Sequence, residues 1–214
     1  MKPRCKICGN QVQTLMDTQF DVDYFLCLNC EYLFQDETTC LSSEEEKQIY
    51  LSHENSADNV GYVNRFREMI ETYLLPENPT NLNVLDFGSG PEPVLADLLK
   101  SYGFSVDIFD PYFAPDQGYR HRTYDIITLT EVVEHLKDPL SELAALVHLL
   151  KLGGRLAIMT QFHPMNEREF LTWWYRRDPT HIGFFRTKTF GIIANQLSLK
   201  IAECDNQSFC LLKK

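Results

Sequence analysis

Two groups of residues have the types and spacing to do chemistry. The first is a pair of C-x-x-C knuckles, C-K-I-C at Cys5 and Cys8 and C-L-N-C at Cys27 and Cys30, separated by alternating apolar residues such as Phe20, Val22, Tyr24 and Leu26. Two knuckles at the ends of a β-hairpin bring four thiolates to one point, the donor set of tetrahedral zinc with no position left for water. Zinc held that way is structural rather than hydrolytic. A single redox C-x-x-C would not need a partner pair at this spacing. The second group is L-N-V-L-D-F-G-S-G-P-E-P at 82–93. Val84, Leu85 and Phe87 make a short apolar strand, Gly88, Ser89 and Gly90 a tight turn, and Val94, Leu95, Leu98 and Leu99 the face of a following helix. A strand, Gly-rich turn and helix in that order aim backbone N–H groups and the helix's positive end at whatever sits above the strand. That is a cradle for a nucleotide-like cofactor.

Pro91 and Pro93 suit the first helical turn, but each removes a donor, so amides such as those of Gly90 and Glu92 are left to do the holding. At the tip of the next strand Asp110 stands where a carboxylate would accept two hydroxyl protons of a ribose. The simpler alternative is a turn aspartate ahead of Pro111.

The elements that must position these groups alternate along the chain. After the knuckles, residues 42–75 carry helical patterning, with Ser43 and Glu46 set as a capping box and the acidic run 44–46 at a helix start. The polar stretch 50–62, with His53, Glu54, Asn55, Asp58 and Gly61, interrupts it and suits either a lid or a solvated loop. Residues 76–81 read as a linker. Strands follow at 84–87, 104–109, 124–130 and 155–160, with a helix from Asp138-Pro139 to Leu150, another at 188–196, and a closing hairpin of 199–204 and 208–212. Strand alternating with helix is a doubly wound α/β fold whose parallel sheet presents its ligands at the strands' carboxyl ends. The expected organisation is a zinc ribbon at 1–40, a helical lid and linker at 41–80 and a cofactor-binding domain at 81–214.

With 214 residues, 44% of them apolar, the chain can bury one substantial core and carry a small appendage. Its net charge of −10 argues against holding nucleic acid by phosphate neutralisation and leaves room only for a local basic patch. No apolar run approaches the roughly 20 residues that cross a bilayer, and the first ten residues lack a signal-peptide core. A cytoplasmic protein is expected, and its seven cysteines read as thiols or metal ligands rather than disulfides.

Taken in order, V-L-D-F-G-S-G, D-I-F-D-P, Y-D-I-I-T-L-T-E-V-V-E-H-L-K-D-P, L-K-L-G-G-R-L-A-I-M-T and D-P-T-H-I-G-F-F resemble the class I S-adenosylmethionine-dependent methyltransferases, particularly the branch with ubiquinone-type O-methyltransferases. These motifs span 83–189, half of the chain. The N-terminal ribbon looks like the one on certain sugar-modifying and ribosomal-RNA methyltransferases. The resemblance implies that Asp86, Gly88, Ser89 and Gly90 surround the methionine moiety of S-adenosylmethionine, that Asp110 binds its ribose, and that Thr130, Glu131 and Val132 pass beside it. There are two departures. Pro91 stands where a small residue is usual. Only the 13 residues 111–123 separate the second strand from the next long one, too few for the family's helix, third strand and helix. That strand is therefore expected to be missing or vestigial, with Pro111, Tyr112 and Phe113 covering the adenine instead.

Methyl transfer needs an aligned nucleophile, removal of its proton and exclusion of water. The candidates to take that proton are His181, Tyr175, His135 and His163, with His181 favoured because a near-neutral imidazole in the aromatic segment 172–186 suits a base. Capping and packing are the plainer roles for Glu134 and His135. Trp173, Trp174, Phe184 and Phe185 could form a flat acceptor wall or simply core. Arg168, Arg176, Arg177, Arg186 and Lys188 could receive an anionic substrate or be ordinary surface charge. The resulting expectation is methyl transfer to a small or carrier-linked acceptor, with structural Zn²⁺ in the ribbon. The competing expectations are an RNA methyltransferase whose ribbon reads its substrate, and an inactive interaction module on the same fold. Acceptor and oligomeric state are not legible in the sequence.

Overall fold

Leu15, Tyr24 and Leu33 lie on alternating positions of three short strands, β1 (Gln13–Asp17), β2 (Val22–Leu26) and β3 (Leu33–Gln35), and all three are buried. The strands form an antiparallel meander in register Leu15↔Tyr24 and Phe25↔Phe34. The computed structural model describes residues 3–52, 56–75 and 82–214; His53, Glu54, Asn55 and the expected linker at 76–81 lie outside them.

Helix α1 (Ser43–Ser52) buries none of its residues. Its capping box is one residue earlier than expected. Ser42 N and Oγ donate to Glu45 Oε2 at 2.9 and 2.6 Å, and Glu46 is left free for other work. Helix α2 (Val60–Met69) buries Val63, Phe66 and Met69 at helical spacing and runs into a π-turn at Ile70–Leu74.

The main sheet begins with β4 (Asn83–Phe87), followed by α3 (Val94–Ser101), β5 (Ser105–Phe109), β6 (Tyr124–Thr130), α4 (Pro139–Leu149) and β7 (Leu150–Met159). After α5 (Glu167–Thr172), the two-residue β8 (Gly183–Phe184) and α6 (Thr187–Gln196), the hairpin β9 (Lys200–Cys204) and β10 (Phe209–Lys213) closes the chain. The six-stranded order is β5-β4-β6-β7-β10-β9. The first four strands are mutually parallel, and β10 and β9 are antiparallel to their neighbours. Val84, Leu85, Ile126, Ile127 and Leu129 are completely buried, as strands covered on both faces must be.

The expected loss of a strand is seen: the sheet ends at β5. Residues 110–123 form a bridge, Asp110↔Ala114, and a 3-10 turn at Gln117–His121 that plugs Tyr119 against Phe109, ring centroids 4.7 Å apart. Strand β7 starts five residues earlier than expected. Gly153 N donates to the carbonyl of Lys214, so the chain's end recruits the K-L-G-G segment into the sheet.

The ribbon is built into this body. Strand β8 pairs with β3 in register Leu33↔Phe184 and gives the ribbon its fourth strand. Cys5, Cys27, Cys30 and Tyr32 share one core with Leu129, Phe185 and Phe190. At the ribbon's other end, buried Arg176 pairs with buried Asp17 and donates to Gln19 Oε1 at 3.1 Å. No helix of the described residues is long and apolar enough to cross a membrane.

Removing one partner of a buried ion pair strands the other charge, which costs about 3–5 kcal/mol. Asp17→Ala should therefore lower the denaturant-unfolding free energy by about that amount. A loss under about 1 kcal/mol would show that the pair does not anchor the ribbon.

Candidate active site

At the carboxyl ends of β4, β5 and β6 lies a cavity of about 570 Å³. Its floor is the Gly-rich turn. Gly88 sits at φ +84, and a Cβ there would come within 2.3 Å of Val132 Cγ2, so only glycine lets the turn after β4 close against the loop after β6. Gly88 N and Ser89 N both donate to Phe109 O, at 2.7 and 3.1 Å, and Gly90 N donates to Asp110 Oδ2 at 3.0 Å. These amides tie β4 to β5, so Gly90 is not the free donor expected from the sequence. The polar atom left over is Ser89 Oγ, buried without a hydrogen-bond partner among the described residues.

Asp110 also accepts from Tyr112 N at 2.8 Å and Phe113 N at 3.0 Å through Oδ1. A carboxylate has about four acceptor directions, and three amides leave about one. The two-hydroxyl grip expected from the sequence reduces to a single acceptor direction. Pro111, Tyr112 and Phe113 line the cavity beside it. Beneath the turn, Asp86 accepts from Thr128 Oγ1 at 2.9 Å and from the Ala96 amide of α3, and burial pushes its carboxyl up to about 6.

The far wall comes from β6 and the segment after α5. Thr130, Glu131 and Val132 line it. Glu131 adopts φ +55, and its carboxylate meets Arg65 Nη2 at 2.9 Å and the Tyr175 hydroxyl at 2.8 Å. The same hydroxyl contacts the buried Glu134 carboxylate and lies 3.2 Å from Thr160 Oγ1. Burial raises both glutamates, Glu131 to about 7 with Glu134's charge adding to the shift. Burial and those carboxylates hold Tyr175's own proton firmly, which makes it a donor and not the proton acceptor expected.

His135 and His181 also line the cavity, with ring centroids 4.9 Å apart. His135 Nδ1 lies 2.9 Å from Thr180 O, and His181 Nδ1 lies 2.7 Å from Tyr175 O. Carbonyls only accept, so each ring carries its proton on Nδ1 and its lone pair on Nε2. Burial drags His181 down to about 4, with His135 adding to the shift; it does not titrate near neutrality as expected.

Other expected groups are elsewhere. His163 is buried between the carbonyls of Glu31 and Pro164. Phe184 and Phe185 are core, Trp173 packs on that core, and Trp174 alone of the four lines the cavity, 65% exposed. Arg186 and Lys188 are spent on Glu31, as Arg176 is on Asp17. Sequence reasoning missed the cavity's cations, Arg65 and Arg120. Arg65 was findable, lying three residues after cavity-lining Tyr62 on α2. Glu46 and Tyr50 were also missed as cavity residues. The Tyr50 and Tyr112 hydroxyls both donate to Glu46, at 2.7 and 2.5 Å; the first bond lies within α1, and the second ties α1 to the loop after β5 beside the cavity.

In the ribbon, Cys5 and Cys30 Sγ lie 3.4 Å apart, Cys8 and Cys27 Sγ 3.4 Å apart, and all four sulfurs fall within 4.8 Å of one another. Zinc at a Zn–S distance of about 2.3 Å needs sulfurs about 3.8 Å apart, so the set fits the ion. Ile7 N donates to Cys5 Sγ, and Asn10 and Asn29 side chains donate to Cys8 Sγ, which suits thiolates.

Two outcomes follow from the cavity floor. Gly88→Ala should cost about 2 kcal/mol or more. Gly90→Ala, at φ +68 with open space around its Cβ, should cost only about 1 kcal/mol. Comparable losses in urea unfolding would refute the Val132 contact as the constraint. The second outcome concerns Asp86, whose folded carboxyl titrates near 6 and whose unfolded one titrates near 4. Its contribution is therefore full below about pH 4 and is lost as pH rises through 6, a fall of up to about 3 kcal/mol. Asp86→Asn should flatten that slope, read as unfolding midpoints at acid and neutral pH.

Comparison with known proteins adds the relatives. No curated protein matches the sequence. A family model described as a methyltransferase domain matches residues 62–203. Among solved structures, magnesium protoporphyrin IX methyltransferase from Synechocystis, with S-adenosylhomocysteine bound, is similar at 14% identity and a TM-score of 0.53, over 80% of this chain and 93% of that one. An O-methyltransferase family protein from Burkholderia thailandensis gives 14% and 0.54, over 78% of this chain and 62% of that one. An O-methyltransferase family 2 protein from Planctomyces limnophilus, in complex with apigenin, gives 16% and 0.52, over 81% and 62%. With the family match covering most of the chain and the strand order matching its fold, this chain belongs to the class I S-adenosylmethionine-dependent methyltransferases.

Proposed function

We propose that this protein transfers a methyl group from S-adenosylmethionine to a small or carrier-linked acceptor, and that the cysteine ribbon holds one structural zinc ion. The observation that carries the reading is the floor of the cavity: a glycine whose Cβ would strike Val132, beside a buried Ser89 hydroxyl with no partner among the described residues, at the carboxyl ends of a parallel sheet. The residues present fit the cofactor. Gly88, Ser89 and Gly90 would pass beneath its methionine moiety, the remaining acceptor direction of Asp110 would take a ribose hydroxyl, and Pro111, Tyr112 and Phe113 would cover the adenine. Thr130, Glu131 and Val132 would flank it on the opposite side. When bound, the cofactor supplies an electrophilic methyl group on a sulfonium.

The chain's own part is to bind, orient and exclude water. Tyr50, Trp174, His135 and His181 wall the space where an acceptor would lie, and Glu46 ties α1 to the loop after β5 beside it. The imidazole pair offers its Nε2 lone pairs to the acceptor's reacting group. Glu46, Glu92, Glu142 and Asp178 also line this cavity, and most of the expected basic set is spent on the ribbon. That balance favours a neutral or cationic small acceptor over RNA. The small-molecule enzymes among the structural relatives support the same choice.

Calorimetric titration with S-adenosylhomocysteine is the test. The wild type should bind at micromolar strength, and Asp110→Ala, which loses the acceptor and the loop it holds, should bind about tenfold more weakly or not at all. A folded, zinc-loaded protein that shows no heat of binding would overturn the reading.

A further inference from the structure

Two cysteines outside the ribbon face each other across the closing hairpin. Cys204 ends β9, Cys210 is the second residue of β10, and the two are partners in register. The next rung fixes what kind of partners they are. Asp205 N donates to Phe209 O at 3.1 Å, and antiparallel rungs alternate, so Cys204 and Cys210 occupy a rung without mutual backbone hydrogen bonds. On such rungs the Cα atoms stand about 4.5 Å apart and side chains are closest, inside the range of about 4.4–6.8 Å that a disulfide spans. Both side chains lie on one face, against the core that holds Phe185 and Phe190. Cys210 is completely buried, whereas Cys204 is partly exposed and lies with its Sγ 3.6 Å from Thr187 Oγ1 at the start of α6. The Cys210 thiol hydrogen-bonds to the Cys204 sulfur. That bond lowers Cys204 to about 6 against the opposing effect of burial, and the same bond together with burial pushes Cys210 up. A reachable thiol that ionises easily, backed by a buried protonated one, is the division of labour between an attacking and a resolving cysteine.

We propose that Cys204 and Cys210 are a redox modification site that closes to a reversible disulfide by exchange with a low-molecular-weight disulfide, Cys204 attacking and Cys210 resolving. The Cys204 thiolate bonds to one sulfur of the small disulfide, whose S–S bond breaks and whose other half leaves as a thiolate. Cys210 then gives up its proton, and its sulfur attacks the Cys204 sulfur it already touches. The mixed disulfide breaks and the second half leaves. Two electrons pass from the protein to the small disulfide, and the two protein protons end on the two released thiols.

The bond closes the loop 204–210, on which the segment after β7 hangs. Ser208 O accepts from Thr160 N at 2.9 Å and Gln207 O from Phe162 N at 2.7 Å, while Asp205 Oδ1 gathers the amides of Gln207, Ser208 and Phe209. Thr160 Oγ1 in turn lies 3.2 Å from the Tyr175 hydroxyl on the cavity wall. Oxidation therefore braces the hairpin that carries these contacts, because a cross-link removes the open conformations of the loop it closes. This site goes beyond the methyl-transfer reading and stands without it, and it is separate from the four ribbon sulfurs, which are committed to one another.

Glutathione, reduced and oxidised, is the probe. Zinc-loaded full-length protein is equilibrated at set ratios of the two, quenched in acid, unfolded, alkylated and cut with trypsin. Cleavage after Lys200 and Lys213 gives fragment 201–213, which contains both cysteines and no other, so its mass reports this pair alone. The expected result is conversion of that fragment to its internal disulfide with zinc content unchanged. In Cys210→Ser the glutathione adduct should accumulate on Cys204 about tenfold above wild type, and its absence there overturns Cys204 as the attacking thiol. Cys204→Ser should leave Cys210 unmodified while the protein is folded. A fragment that keeps two thiols in folded wild type under excess oxidised glutathione overturns the proposal, as does oxidation that appears only once zinc is lost. Should a variant fail to fold, the wild-type fragment decides by itself. Amide hydrogen exchange reads the brace: Thr160 and Phe162 should exchange about tenfold more slowly after oxidation, and equal rates in the two forms overturn it.

Discussion

Two amides converge on one carbonyl. Gly88 N and Ser89 N both donate to Phe109 O, and Gly90 N donates to the next residue's carboxylate, so the end of β4 is fastened to the end of β5 before any ligand is considered. That fastening sets the cavity floor, demands the left-handed backbone at Gly88, and fixes the 110–114 loop whose amides Asp110 collects. It also removes the need for a strand beyond β5. With Tyr119 plugged against Phe87 and Phe109, the short return covers the sheet's end with side-chain bulk.

The ribbon is coupled to the opposite wall through backbone carbonyls. Thr189 Oγ1 donates to Cys30 O, His163 Nε2 meets Glu31 O, and Gln196 Nε2 donates to Ile7 O. Since β8 is also the ribbon's fourth strand, the segment carrying Tyr175, Trp174 and His181 is held between the cysteine cluster and the main sheet. Metal binding free energy in such a cluster is folding free energy. A zinc ion held by the four cysteines would therefore brace that segment through β3 and β8.

Electrostatically the cavity concentrates carboxylates that burial makes reluctant to ionise: Asp86 under the turn, Glu131 on the wall and Glu134 behind it. Arg65 pairs with Glu131 Oε1, and the Tyr175 hydroxyl bridges Glu131 Oε2 and Glu134 Oε1. Such crowding is costly for stability and recurs where a site must hold protons or cations.

The local patterns were legible because they are short-range. Period-two alternation gave the ribbon strands, Gly-x-Gly after an apolar run gave the cradle, Asp138-Pro139 gave the start of α4, and the 13-residue spacing before Tyr124 excluded a full third strand. Spacing likewise put four cysteines at one point. Partnerships between distant segments were not legible, because one carboxylate or guanidinium serves many partners equally well in a string of letters. That Arg176 belongs to Asp17 and not to a substrate, that Phe184 is a ribbon strand and not an acceptor wall, that Gly90's amide goes to Asp110, and that Tyr175 keeps its proton between two glutamates were decided by tertiary packing. The same holds for titration. His181 reads as a near-neutral base in sequence, where its pKa would be that of a solvated imidazole, and only enclosure by Tyr175 and His135 moves it. Sequence determined which elements form and which chemistry they can carry; burial and long-range pairing, which depend on every element at once, determined which of those groups the site can use.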